Sequence, residues 1–147
     1  MAALTVGLTG CSRTSFFASV DRPTVTYQGA AIAENNDADV VVDGQLHKID
    51  GKIACIAFAG GETMISIGKE PTAVKITLRD DRDSPRVRMV ILQNLVGYTL
   101  FVMDPPEKGE ASASRDGKRY TIGGMSWRLD AQNDDVKKPF RIQFTCP

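Results

Sequence analysis

Hydrophobic and polar residues alternate along most of the chain from Asp39 onward, and turn-forming residues interrupt the alternation at short intervals. A period of two is typical of strands that bury one face and expose the other. The dipeptides Asp43-Gly44, Asp50-Gly51 and Asp116-Gly117 favour tight turns, and no long amphipathic helix is indicated. The pattern therefore predicts a mainly β protein, a single antiparallel β-sandwich or partial barrel domain after a flexible N-terminal tether, with α+β as the alternative.

The positions of the strands follow from the same alternation. They are predicted over residues 40–42, 46–49, 53–58, 63–67, 74–78, 87–91, 94–103, 111–114, 120–122 and 140–146. Pro105-Pro106 ends the strand over 94–103, because proline lacks the backbone donor of a ladder. The bulky side chains predicted to fill the interior are Phe140, Phe144, Met89, Ile91 and Trp127.

The first ten residues are uncharged and mostly apolar or small, and they lead directly into Cys11. They resemble an export signal and are too short for a membrane span, which needs about 20 apolar residues. The segment Leu8-Thr9-Gly10-Cys11 resembles the bacterial lipoprotein box, whose cysteine receives diacylglycerol before the signal is removed. We therefore predict a signal segment over 1–10, an acylated Cys11 with a flexible tether over 11–38, and a β-rich domain over 39–147. A chance tetrapeptide in an ordinary N-terminal strand is the alternative.

The chain contains three cysteines. If Cys11 carries lipid, Cys55 and Cys146 remain as a pair in an oxidising compartment. Cys146 has the inward parity of the last predicted strand, and Cys55 shares the parity of Ile53 and Ala57. Both sulfurs are therefore predicted to face the core and to form a disulfide. Two separate buried thiols in a cytosolic protein are the alternative.

Composition and charge restrict the class of protein. With 147 residues, 42% of them hydrophobic and 24% charged, the chain is predicted to form one water-soluble domain. Its 18 basic residues balance 18 acidic ones, so there is no electrostatic signal for nucleic acid or for an anionic lipid surface. No nucleic-acid partner is expected.

The side chains provide little for catalysis or for metal binding. His47 is the only histidine, which excludes sites that need several imidazoles, and we expect it to face solvent. Asp80, Asp81 and Asp83 lack the glycine and distal glutamate of a calcium loop, and they are predicted to form a solvated connection. The remaining candidates are interpreted as turns or bulges, Gly60-Gly61 and Gly123-Gly124, or as surface acids, Glu62, Glu70, Glu107 and Glu110. We therefore predict a protein without catalytic residues, metal or cofactor.

An ordered set of short motifs resembles the mycobacterial LpqH-type, nineteen-kilodalton lipoprotein antigen family. The matching elements are Asp43-Gly44, Cys55, Ile65-Ser66-Ile67-Gly68, Gly109-Glu110-Ala111-Ser112-Ala113, Asp116-Gly117, Tyr120-Thr121-Ile122-Gly123-Gly124 and Phe140-Arg141-Ile142-Gln143-Phe144-Thr145-Cys146. The resemblance implies an exported protein held at the cell envelope by an acylated cysteine, which maps onto Cys11, and a disulfide that maps onto Cys55 and Cys146. It implies no catalytic residues.

Members of that family are surface antigens sensed by host receptors through the acylated terminus. The resemblance therefore implies a non-enzymatic, lipid-anchored antigen or interaction module on the extracytoplasmic face of the cell membrane, with a host receptor or an envelope component as partner. The alternative function is a carrier of envelope lipid or glycolipid with an apolar cavity inside the sheet. The bulky inward residues disfavour such a cavity.

Overall fold

Eleven antiparallel strands make up the part of the chain that the computed structural model describes, residues 27–80, 84–104, 110–128 and 137–147. The strands are β1 (Tyr27–Ala33), β2 (Asp39–Val42), β3 (Gln45–Lys48), β4 (Ile53–Phe58), β5 (Glu62–Lys69), β6 (Thr72–Arg79), β7 (Arg86–Gln93), β8 (Leu100–Met103), β9 (Glu110–Asp116), β10 (Arg119–Arg128) and β11 (Lys137–Thr145). Within these ranges there is no helix, and hence none that could span a membrane. The prediction of a mainly β fold is confirmed.

The strands form one antiparallel sheet that curls into a half-barrel, which is the partial-barrel form of the prediction. Strands β4 to β8 follow one another as neighbours, and β1 lies beside β4 at one edge. Strand β10 pairs with β8 through Trp127 and Arg128, and the preceding part of β10 pairs with β9. The sheet continues through β11 and β2 to β3 at the opposite edge.

Two of the predicted Asp-Gly turns close two-residue hairpins. Asp43 and Gly44 connect β2 to β3 with φ angles of 52° and 79°, the left-handed pair of a type I′ turn. Between β9 and β10, Gly117 has a φ of 58° at the first central position, where a type II′ turn requires glycine. The turn residues thus set the register of both hairpins.

Inward side chains from successive strands pack together inside the half-barrel. Along β11, the buried residues Phe140, Ile142 and Phe144 alternate with more exposed ones, as predicted. The rings of Tyr120 and Phe144 stack with their centroids 5.3 Å apart. Other large side chains with almost no exposed surface are Ile53, Ile65, Ile67, Ile76, Leu78, Leu92, Leu100 and Ile122. Each such burial contributes about 1.5–3 kcal/mol, so this inner face is the main source of stability.

A β-bulge in β7 makes the prediction for Met89 and Ile91 wrong. Thr77 pairs with Met89 but the next residue, Leu78, pairs with Val87, so one residue of β7 has no partner in the register. The extra residue reverses the parity of the strand. Val90 and Leu92 are therefore fully buried, whereas Met89 and Ile91 are only half-buried.

The prediction of Trp127 as a core residue is also wrong. The neighbouring residue Ser126 is fully buried, and its hydroxyl donates a hydrogen bond of 2.8 Å to the carbonyl of Lys138. Trp127 has the opposite parity and is half-buried, with the ammonium of Lys137 at 4.3 Å from its ring centroid. The indole therefore packs on the outer face of the sheet under a cation.

The long strand predicted over residues 94–103 is much shorter in the structure. Only Leu100–Met103 is extended, as β8. Asn94 and Gly97 have φ angles of 53° and 84°, and a left-handed backbone interrupts a strand. The hydrophobic residues of this segment therefore lie in an irregular connection between β7 and β8.

The structured region begins earlier in the chain than the domain boundary predicted at Asp39. Strand β1 lies within the segment assigned to the tether, and it pairs with β4 so that Ala31 faces Cys55 across the ladder. Small residues such as Gly29 and Ala30 show no hydrophobic alternation, so pairing with β4 rather than its own pattern holds this strand in the sheet. The signal segment, Cys11 and the tether up to residue 26 lie outside the described residues.

Candidate functional site

A disulfide joins Cys55 of β4 to Cys146, the residue that follows β11. The two sulfur atoms are 2.00 Å apart and the Cα atoms 5.9 Å apart, across a sequence separation of 91 residues. Strands β4 and β11 are not neighbours in the sheet, so the bond connects two distant parts of the half-barrel across its interior. This is the pairing that the parity of the two strands predicts.

Polar contacts around the segment that leads into β2 reinforce the same end of the sheet. The backbone nitrogen and the hydroxyl of Thr145 donate to the two oxygens of Asp37, at 2.8 and 2.7 Å. The Asn36 side-chain nitrogen donates to the carbonyls of Ile49 and Gly51, both at 2.8 Å. The Asp37 bonds hold the segment before β2 against the end of β11, next to the disulfide. The Asn36 bonds hold the same segment against the connection between β3 and β4.

Replacing Asp37 with asparagine is expected to destabilise the protein at neutral pH by up to about 1 kcal/mol, since the site is exposed and screened. Burial by itself would raise the pKa of Asp37, but the hydrogen bonds from Thr145 and the charge of Arg119 outweigh burial and lower it from 3.8. A carboxylate with a lowered pKa stabilises the native state above its unfolded pKa, and this contribution is lost as the pH falls through the folded pKa.

Urea denaturation of the wild type and of Asp37→Asn measures the difference between their free energies of unfolding. The measurement is made at neutral pH and at a pH well below 3.8. Asp50→Asn, which removes an exposed carboxylate at a nearby turn, is the control. A difference between wild type and Asp37→Asn that stayed constant into the acid range would contradict the assignment.

A pocket of about 320 Å³ lies beside the disulfide. We call it the Asp80 pocket, and its walls include Cys55, Phe58, Asp80, Arg115, Tyr120 and Cys146. The pocket therefore lies where the ends of β4 and β6 meet the β9–β10 hairpin and the residue after β11.

An ion pair and a phenol meet on one carboxylate oxygen in this pocket. The Asp80 side chain is only 5% exposed, and its Oδ2 lies 2.5 Å from Nη1 of Arg115. The Tyr120 hydroxyl donates to the same oxygen at 2.9 Å. The guanidinium carbon of Arg115 also lies 5.9 Å from the centroid of the Tyr120 ring. The other carboxylate oxygen, Oδ1, is buried and has no hydrogen-bond partner among the described residues.

The protonation of the partners follows from these contacts. Burial raises the pKa of Tyr120, the hydrogen bond to Asp80 raises it further, and Arg115 opposes both. The hydrogen bond to Tyr120 and the charge of Asp80 raise the pKa of Arg115 against the effect of burial. At neutral pH the phenol is therefore a neutral donor, and the guanidinium is a cation that offsets the charge of Asp80.

The structure corrects the expectation for Asp80. The sequence pattern grouped it with Asp81 and Asp83 in a solvated connection, and those two residues lie outside the described ranges. The signal that could have identified Asp80 is its parity, because it continues the inward series of Val74, Ile76 and Leu78 along β6. A carboxylate at an inward position needs buried partners.

Of the candidate glycines, Gly61 lines this pocket. The interpretation of Gly123-Gly124 as a turn or bulge is wrong, because both residues lie inside β10 and pair without a register shift.

The candidates that follow are not part of the pocket lining. His47 is half-buried rather than solvent-facing, and its Nε2 is buried without a hydrogen-bond partner among the described residues. Glu62, Glu70 and Glu110 are exposed, as expected, and Glu107 lies outside the described residues. In the described ranges no three residues of the types His, Cys, Asp and Glu come together as a group that could hold a metal ion.

Comparison with known proteins finds mycobacterial lipoproteins that are similar to this chain. Residues 31–146 match the family described as Mycobacterium 19 kDa lipoprotein antigen. The chain is 36% identical over 109 residues to Lipoprotein LpqH of Mycobacterium avium, across 73% of this chain and 66% of that protein. It is 34% identical over 148 residues to Lipoprotein LpqH of Mycobacterium tuberculosis strain H37Rv, across 99% of this chain and 92% of that protein.

Proposed function

The chain belongs to the Mycobacterium 19 kDa lipoprotein antigen family, and on this premise we propose that it is a lipid-anchored protein of the cell envelope. An acylated Cys11 holds it to the extracytoplasmic face of the cell membrane after removal of residues 1–10. The β-rich body acts as a non-enzymatic surface antigen or interaction module, and its partner is a host receptor or another component of the envelope.

The use of the three cysteines is the observation that carries this proposal. The disulfide takes up Cys55 and Cys146, which leaves Cys11 as the remaining cysteine of the three. Disulfides persist in oxidising compartments outside the cytoplasm, where lipoproteins are displayed. A lone cysteine directly after Leu8-Thr9-Gly10 is the residue that a lipoprotein would acylate.

The physics of anchoring fits a small domain of this kind. Each buried methylene of an acyl chain contributes about 0.8 kcal/mol, so one chain gives only reversible binding whereas two chains retain a protein stably. Diacylglycerol supplies two chains. A folded body on a tether then meets partners near the membrane at a raised effective concentration.

A non-enzymatic role is supported by what surrounds the titratable groups. Among the described residues, no carboxylate or nucleophile forms a hydrogen bond with Nε2 of His47. The carboxylate oxygen Oδ2 of Asp80, whose side chain is 5% exposed, is already occupied by Arg115 and Tyr120. General acid–base catalysis needs a group that can exchange a proton with a reactant, and Asp80 Oδ2 is engaged by protein groups instead.

The interior of the half-barrel gives no support to the alternative of a lipid carrier. A carrier needs an apolar cavity of several hundred Å³. Large side chains occupy the described interior instead, and Leu92, Ile122 and Phe144 have no exposed surface at all.

Replacing Cys11 with serine is expected to move the protein from the detergent phase to the aqueous phase when cells of a mycobacterial host are extracted with Triton X-114. Serine cannot form the thioether to diacylglycerol, so both acyl chains are lost together. Intact-mass analysis should show the loss of lipid mass and, for the wild type, the removal of residues 1–10.

Ser12→Ala is the matched control, because it changes the neighbouring residue and leaves the cysteine in place. It should partition like the wild type. Retention of Cys11→Ser in the detergent phase would show that the anchor lies elsewhere and would overturn the proposal.

A further inference from the structure

Three methionines lie in one row across the outer face of the sheet. Met64 of β5 pairs with Thr77 of β6. Thr77 in turn pairs with Met89 of β7, which pairs with Met103 of β8. The residues that alternate with these methionines are buried in the core, so the methionine side chains point away from it. Met64 and Met103 expose 43% and 52% of their surface.

A second row of apolar side chains lies beside the first. Ile91 pairs with Phe101, and Phe101 pairs with Trp127. Ile91 and Phe101 are two residues away from the methionines of their own strands, so they share the outer face. The three side chains of this row are half-buried. We call the combined surface the methionine face, and it consists of Met64, Met89, Ile91, Phe101, Met103 and Trp127.

The charges within these two rows are all positive. Lys75 is the register partner of Ile91, and Lys137 is the partner of Trp127. No carboxylate holds a register position in either row, taken over the described strands from β5 to β11. The ammonium of Lys75 lies 3.1 Å from Glu70, in an ion pair whose members are 45% and 62% exposed, so water screens it. The ammonium of Lys137 lies 4.3 Å from the centroid of the Trp127 ring. Both cations therefore reach solvent beside apolar side chains.

Two properties of the methionine face favour a lipid surface over a second copy of the chain. A standard protein interface buries about 800 Å² per partner. Only Met64 and Met103 are exposed and the other four side chains are half-buried, so this face is too small for such an interface. A second copy would also place lysines against hydrocarbon, where an unpaired ammonium is costly. At a lipid surface, apolar side chains meet the acyl boundary while lysine stems carry their ammonium groups to the phosphates.

The position of the first strand brings this face within reach of the membrane. Residues 11–26 separate the proposed anchor at Cys11 from Tyr27, where β1 begins. A fully extended segment of this length spans about 55 Å, which exceeds the roughly 35 Å diameter of a domain of this size. Ala30 and Ile32 of β1 continue the two rows through β4, and Ile32 is 61% exposed. The tether therefore joins the domain at the end of the rows that form the methionine face.

We propose that the methionine face lies on an anionic lipid surface, the membrane to which the proposed acylated Cys11 anchors the chain, so this inference rests on the proposed function. Tryptophan is enriched at the level of lipid headgroups, which is where this orientation places Trp127. Lys75 and Lys137 contact the lipid phosphates. The chain has no net charge, so long-range attraction is weak, and the tether supplies the high effective concentration that a small contact requires.

The fluorescence of Trp127, the only tryptophan of the chain, tests this orientation. The oxidised full chain is coupled through the thiol of Cys11 to a maleimide headgroup in vesicles of phosphatidylglycerol and phosphatidylcholine. We expect a blue-shifted emission that is quenched by lipids brominated on their acyl chains.

Met103→Glu is expected to lower the ratio of docked to undocked protein about tenfold, because it removes apolar area from the contact and brings a negative charge to it. Bromine quenching should fall accordingly. Met64→Glu, on a different strand, should have the same effect and replaces the first variant if that variant does not fold. Leu46→Glu is the matched control, since Leu46 is 57% exposed on β3, outside the methionine face. Its quenching should equal that of the wild type.

Equal quenching in the wild type and in both methionine variants would overturn the proposal. A blue shift that grows with the surface density of protein, without bromine quenching, would show that a second copy covers this face and would also overturn it. The maleimide coupling takes the place of natural acylation, so neither result depends on the outcome of the Cys11 partitioning experiment. Failure of the two proposals can therefore be told apart.

Discussion

The double variant Cys55→Ser, Cys146→Ser is expected to lose about 4–5 kcal/mol of unfolding free energy relative to the oxidised wild type. The disulfide joins residues 91 positions apart. In the chain-entropy model, a cross-link of this length lowers the conformational entropy of the unfolded chain, which stabilises the folded state by about 4–5 kcal/mol. Small domains are stable by about 5–15 kcal/mol in total, so most of a modest stability could be lost.

Thermal denaturation followed by far-ultraviolet circular dichroism measures the effect, and a fall in Tm on the order of 10–20 °C is expected. Reduction of the wild type should reproduce this fall. Cys11→Ser is the matched control, since it removes a sulfur and leaves the disulfide intact. A double variant that melts within a few degrees of the wild type would show that the cross-link contributes little.

Replacing Gly124 with alanine is expected to cause the second large loss of unfolding free energy. A Cβ built at Gly124 would lie 1.8 Å from the carbonyl oxygen of Glu110 and 2.7 Å from the Cα of Ala111. Ala111 is the partner of Gly124 in the register of β9 and β10, so the added carbon collides with the backbone of the paired strand. Overpacking of this kind costs about 1–3 kcal/mol and occasionally more. We expect the beginning of β9 to separate from β10.

Hydrogen exchange of the β9 amides, together with urea denaturation, measures this separation. The expected result is loss of protection near Ala111 and Ser112, with little change in β11. Gly29→Ala is the control, because a Cβ at Gly29 meets no atom within 4 Å and should change the free energy of unfolding by no more than about 0.5 kcal/mol. Wild-type protection of β9 in Gly124→Ala would contradict the steric argument.

Local features of the sequence determined most of the strands, two hairpins and the disulfide. The alternation of hydrophobic residues identified most of the strands, because each of these strands buries one face. The dipeptides Asp43-Gly44 and Asp116-Gly117 identified two hairpins, because each turn needs at least one central residue with a positive φ angle. The parity of Cys55 and Cys146 identified the disulfide, since it places both sulfurs on the inner face.

Other features depended on which strands became neighbours. The outward position of Met89 follows from an extra residue in β7 opposite β6, and the sequence of one strand does not show where its partner shifts register. Strand β1 has no alternation of its own and is held by β4. The short β8 follows from left-handed residues at Asn94 and Gly97, whose hydrophobic neighbours look extended in the sequence.

The sequence by itself therefore determined the β class, two hairpin turns, the cysteine pair and the family resemblance. Each of these depends on short stretches of sequence and their order along the chain, without knowledge of which strands are neighbours. Only the tertiary structure decided the position of Asp80. Parity shows that Asp80 points inward, but the curling of the sheet brings Arg115 and Tyr120 to one of its oxygens. The other oxygen is buried without a hydrogen-bond partner among the described residues. Contacts between residues 35 and 40 positions apart depend on the packing of the whole sheet, which no local pattern records.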